Sequence, residues 1–213
     1  MPLDIRASLL LLHEQPPDRF RGLADTSRHP VSPKTRGNDL LSSYSEMTTF
    51  ITESPWNRAR PRVLVVACSD GRLQENLDDF LQRSLRITHY DRLYAPGGAC
   101  ALTRIGSDFI RAGFYRRECL DLVRLHGIQS LILLFHGPAI DGPAEAVCAD
   151  YRRKLPASSL RDIRRQQEVD ARELRSAGLG WPMPVETLVF RCEVGADDVV
   201  RFAALAAEPP QIA

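Results

Sequence analysis

The sequence predicts an α/β fold, a mainly parallel sheet flanked by helices, with an N-terminal helical arm ahead of it. Two unbroken apolar runs, Val63-Leu64-Val65-Val66-Ala67 and the SLILLF stretch from Ser130 to Phe135, lack the polar alternation of a half-exposed strand. Such runs suit strands buried on both faces, as in a parallel sheet. Helical periodicity follows each run, and this alternation of strand and helix argues for crossover connections between parallel strands.

Taken in order, residues 3–14 read as a short helix, and Pro16, Pro17, Pro30 and Pro33 then make 15–37 a poor candidate for regular structure. Asn38 or Asp39 can cap a helix running to about Ile51, with Leu40, Leu41, Tyr44, Met47 and Phe50 at helical spacing. The arm and linker thus take 1–55 and the domain 56–213. The first core strand stops at Cys68-Ser69-Asp70-Gly71 and leads into a helix over 73–85, then an extended segment over 86–94. A turn at Pro96-Gly97-Gly98 precedes a helix from about Thr103 to His126, closed by Gly127 as a C-terminal glycine. After the second buried strand come one or two helices over 143–177, a last strand from Val185 to Cys192, and a short helix after Ala196. No internal repeat is visible.

Composition narrows the function classes. The 213 residues suit one sizeable domain with appended segments, and 44% hydrophobic with 26% charged residues is a soluble globular balance. A net charge of +1 names no nucleic acid or anionic membrane as partner. The Arg-rich stretch RDIRRQQEVDARELR is interleaved with Asp162, Glu168, Asp170 and Glu173, and reads as a solvated helix face. Five cysteines, none in a C-x-x-C pair, fit a reducing compartment, and Leu9–Leu12 is too short an apolar run to span a bilayer. The expected location is the cytoplasm, with no membrane contact.

Ligands of open parallel sheets collect at the carboxyl ends of the strands. There the two most buried strands deliver Cys68-Ser69-Asp70-Gly71-Arg72 and Phe135-His136-Gly137. Cys68 alone reads as a small buried residue and His136 alone as a turn histidine. Together, a thiol, a carboxylate, a guanidinium and an imidazole have metal-ligand and proton-transfer potential. A carboxylate at a buried strand end also needs donors to stay ionised, so Arg72 is expected to pair with Asp70 and to be costly to remove.

The segment VVACSDGR resembles the first zinc-ligand motif of the β-carbonic anhydrases, a C-x-D-x-R directly after a core strand. Tyr94-Ala95-Pro96-Gly97-Gly98-Ala99 and LHGIQSLILLFHG resemble that family's glycine turn and its helix, strand and ligand histidine. The resemblance covers about 60–140 well and 185–202 loosely. It implies zinc held by Cys68 and His136, and Asp70 with Arg72 as the catalytic dyad beside the metal. It also implies hydration of carbon dioxide.

The departure lies at the third ligand. The family's H-x-x-C places a cysteine three residues after the histidine, where this chain has Ala139, preceded by Pro138. Tyr94, Ala95 and Pro96 also stand where the family has a different triplet. Asp70, Asp141 or Cys100 are the substitutes that neighbouring turns offer, while Cys148 falls on a following helix with packing as its expected role. The sequence therefore favours a β-carbonic-anhydrase-like protein with a degenerate zinc site, acting as a non-catalytic scaffold or regulatory homologue. The alternative is an active zinc lyase with an altered ligand set.

The family's dimers use an N-terminal helical arm, so the resemblance implies a homodimer, with residues 1–55 available to the partner subunit or to another protein. Light scattering at micromolar concentration checks this, with a dimer mass expected.

Overall fold

The structure, a computed structural model, describes residues 51–104, 109–176, 180 and 184–205. The helices expected over 3–14 and up to about Ile51 fall in 1–50, outside the described residues. The chain divides into two units, 1–59 and 60–213, and residues 51–59 of the first hold no helix or strand.

The second unit is built on a five-stranded sheet in the order β2-β1-β3-β4-β5. Its strands are β1 (Val63–Cys68), β2 (Asp91–Ala95), β3 (Ser130–Pro138), β4 (Glu186–Val194) and β5 (Val200–Ala204). The first four run parallel, and β5 returns antiparallel along β4. The α/β, mainly parallel architecture expected from the sequence is thus present. Every residue of β3 is buried, which accounts for its lack of polar alternation.

Among the described residues, four α-helices connect and cover the strands: α1 (Gln74–Asp79), α2 (Phe109–His126), α3 (Ala149–Lys154) and α4 (Leu160–Ser176). On one face, Leu64, Val66, Leu133 and Phe135 pack with Cys119 and Val123 of α2 and Ile163, Ala171 and Leu174 of α4. Elsewhere, α1 continues into a single π turn, Phe80–Ser84. Phe80 there meets Phe190 of β4 edge-on at 5.0 Å and stacks on Phe202 of β5 at 4.2 Å. Gly127 follows α2 with φ of 63°, in the C-terminal role its place in the sequence implied.

Two expectations are corrected. The long helix does not begin at Thr103. A 3₁₀ turn, Gly98–Leu102, ends there with Thr103 extended and its hydroxyl donating to the Cys100 carbonyl at 2.8 Å. The chain after Ala196 is a strand, not a helix. Asp198, at φ of 57°, turns the chain, the Gly195 N–H donates to the Val199 carbonyl, and Val200 onward pairs with β4. That left-handed turn closes a hairpin, and the β-branched Val199-Val200 pair suits the strand it starts.

One position fixes how the sheet meets the loop that crosses its end. At Gly98, φ is 53°, and a Cβ would lie 2.6 Å from the Cys68 nitrogen and 2.8 Å from the Leu134 carbonyl oxygen. Both are backbone atoms of strands that cannot yield. Gly98→Ala is expected to cost more than about 2 kcal/mol, combining left-handed strain with the clash. Urea unfolding measures it, and a loss below about 0.5 kcal/mol would show that the turn does not pack this way.

Candidate metal centre

Cys68 is the last residue of β1, and β3 outruns β1 so that His136 stands beside that strand end. Both therefore lie at the carboxyl edge of the sheet, where the sequence placed them. The chain beyond His136 continues along β4, with the Ala139 N–H donating to the Val194 carbonyl at 2.8 Å. It then turns back through a 3₁₀ segment, Ala144–Ala146, and delivers Cys148 as the N-cap of α3.

The result differs from the expected two-ligand site. One ligand atom each from Cys68, His136 and Cys148 lies within 4.8 Å of the others. Among the described residues no other His, Cys, Asp or Glu group is so placed, and neither Asp141 nor Cys100 joins it. Cys148 was expected on a following helix in a packing role, and it stands instead at the start of that helix, beside Cys68 and His136. The excursion over 137–147 returns the chain to the site, so the spacing does not measure the distance. The usable signal was position, since Cys148 directly precedes a helix after the Pro143 turn.

The triad suits a metal on two further observations. His136 is 5% exposed, and neither ring nitrogen has a hydrogen-bond partner, which is costly unless something else satisfies them. The donor set, two sulfurs and an imidazole, is a zinc set, and three protein ligands leave a fourth tetrahedral position open. The chain orients these groups from outside. Gln167, itself buried, donates to the His136 carbonyl at 3.1 Å, and the Gly97 N–H points at the Cys68 sulfur at 3.3 Å.

Electrostatics favour a thiolate at Cys68. The Cys148 thiol donating to it, then the His136 imidazole and the Gly97 amide, outweigh burial and hold Cys68 well below an ordinary thiol. The same bond and burial push Cys148 upward, so without a metal the two sulfurs hold one proton between them. A dication would displace that proton and leave both as thiolates.

Asp70 and Arg72 pair as expected, in a two-bond fork: Nε to Oδ1 at 2.9 Å and Nη2 to Oδ2 at 2.6 Å, with the Arg72 N–H also reaching Oδ1 at 3.1 Å. The Arg72 bonds hold the Asp70 carboxyl down to about 2. The pair is less buried than the sequence implied, with Asp70 19% and Arg72 64% exposed. A cavity of about 160 Å³ opens beside the triad. Its lining includes Cys68, Asp70 and His136 together with the apolar Leu73, Leu77 and Phe202.

No family model matches the sequence, and no curated protein does. Among solved structures, the chain is similar to a carbonic anhydrase from Streptococcus mutans at 16% identity and a TM-score of 0.42, over 79% of this chain and 96% of that one. It is similar to β-carbonic anhydrase isoform I of Trichomonas vaginalis at 15% identity and 0.39, over 81% and 94%. A carbonic anhydrase from Glaciozyma antarctica matches at 16% and 0.40, over 85% and 100%.

The exposure of Arg72 sets the scale for its removal. Arg72→Ala is expected to change stability by less than about 1 kcal/mol, because solvent screens the pair. Asp70 should then titrate nearer the ordinary value of about 3.9. Since folding depresses the Asp70 pKa, the pair's stabilisation is present above about pH 4 and is lost as pH falls toward about 2. Carboxyl chemical shifts against pH, with thermal unfolding, check both. A loss of several kcal/mol would mean the pair is buried after all.

Proposed function

We propose that the chain is a zinc-dependent lyase of the β-carbonic-anhydrase type, hydrating carbon dioxide or a similarly small neutral substrate. The observation that carries this is the convergence of Cys68, His136 and Cys148, with both His136 ring nitrogens buried and unpartnered. The non-catalytic scaffold reading rested on a thiol missing at Ala139, and Cys148 offers a third donor in its place.

Zinc in such a set acts as a Lewis acid and lowers the pKa of a water it binds to about 7. The remaining work belongs to the chain. Asp70, ionised throughout the physiological range, accepts a hydrogen bond and orients the attacking water. With its carboxyl held at about 2 it is too weak a base to carry the proton away. Arg72 keeps that carboxylate in one orientation through two bonds. Leu73, Leu77 and Phe202 offer a neutral substrate an apolar wall and no competing hydrogen bonds. All five cysteines are free thiols, which supports a cytoplasmic setting.

Protein purified without chelators is expected to carry close to one zinc per chain and to hydrate carbon dioxide above background. Cys148→Ser should lower both by more than about 10-fold, whereas Ala139→Cys should add nothing. Folded wild-type protein with neither zinc nor hydration would return the scaffold reading.

A further inference from the structure

Beside the triad lies a group of charges that the proposed chemistry does not use. Asp150, two residues after Cys148, has its side chain 3% exposed, yet three cations surround it. Arg111 of α2 reaches Oδ1 at 2.6 Å, Arg153 reaches the same oxygen at 2.6 Å, and the buried Lys154 stands 3.5 Å from Oδ2. Two of these come from Asp150's own helix. Arg111 does not, and its second amino group donates to the Pro96 carbonyl.

Pro96 is followed by Gly97, whose N–H points at the Cys68 sulfur. Gly97 also lies against the carboxylate itself: at its φ of 97°, a Cβ would sit 2.5 Å from Asp150 Oδ2. One short path therefore joins the two sulfurs. It runs from Cys148 to Asp150, across Arg111 to Pro96, and through Gly97 to Cys68.

We infer that Asp150 and Arg111 are positioning residues of the metal centre, a buried ion pair that sets the separation of the Cys68 and Cys148 sulfurs. The inference rests on the metal-site reading for its purpose, but the spacing it describes belongs to the metal-free chain as well. Lys154 is anchored on the Cys100 carbonyl at 2.8 Å and Arg153 reaches out to solvent, so neither can replace Arg111 as the link to the glycine turn. Asp150 keeps both of these partners when Arg111 is removed, so Arg111→Met does not strand a buried carboxylate.

The test has a metal-free arm and a metal arm. In metal-free protein, the Cys68 thiolate attacks 5,5′-dithiobis(2-nitrobenzoate), forming a mixed disulfide and releasing one thionitrobenzoate. The Cys148 sulfur then attacks that disulfide, releases the second and passes its proton to solvent. The second, unimolecular step reads the sulfur separation. Arg111→Met is expected to slow it roughly 10-fold or more, since misplacement by an ångström is that costly to an intramolecular reaction. In the metal arm, Co²⁺ is the probe. Arg111→Met should weaken its binding by about 10- to 100-fold and diminish the thiolate-to-cobalt charge-transfer band.

Arg111→Lys keeps the charge without the planar fork that spans both acceptors, and should behave like Arg111→Met. If Arg111→Met does not fold by circular dichroism, Asp150→Asn serves in both arms. Normal second-step kinetics in a folded variant, or full recovery by Arg111→Lys, overturns the inference. A wild-type protein that ignores Co²⁺ but shows the slowed second step in Arg111→Met would sink the zinc reading and keep the positioning one.

Discussion

The candidate centre depends on how closely the Gly97-Gly98 turn packs against two parallel strand ends. Gly98 leaves no room for a Cβ between the Cys68 nitrogen and the Leu134 carbonyl. That contact keeps the amide of the preceding residue, Gly97, close to the Cys68 sulfur, which a turn displaced by one side chain could not do. β1 and β3 hold their ends together through the ladder they share, so Cys68 and His136 are neighbours as a result of strand pairing. The sheet supplies two donors, the glycine turn polarises one of them, and the third comes from the excursion beyond β3.

Charge is arranged in two tiers around these donors. Asp70 lies on the cavity side with a screened arginine and stays ionised at any working pH. Asp150 stands two residues beyond Cys148, with more positive charge around it than it can neutralise. This surplus sits close to sulfurs that must be negative to bind a metal. A low-dielectric setting strengthens such a field and lets it act without groups that move.

The core strands were legible because a strand buried on both faces has to be apolar throughout, and the glycines were legible because only glycine tolerates their backbone angles. The pairing of Asp70 with Arg72 followed from the need of a carboxylate for donors, although the exposure of Arg72 did not. The final hairpin was hidden because Val199 to Ala204 has a mixed pattern, and pairing with β4 decided its state. Cys148 was hidden for a different reason. Spacing along the chain predicts proximity only within one element, and 137–147 leaves the sheet and comes back. Asp150 and Arg111 lie in separate helices, and nothing in either segment announces the other.

The wide scatter of the three donors along the chain has a consequence for folding. A cysteine and a histidine a few residues apart form a chelate that even a denatured chain can close around a metal. Here the donors come from two strands and a helix start, and each doubling of a loop to be closed adds about 0.6 kcal/mol. Unfolded chains therefore have little hold on the ion. Nearly all the binding free energy of a metal held at the site would add to the stability of the native state, growing with the logarithm of free metal concentration. If the site holds such an ion, the cellular pool of that ion would become a determinant of how long this polypeptide survives, independently of any turnover at the site.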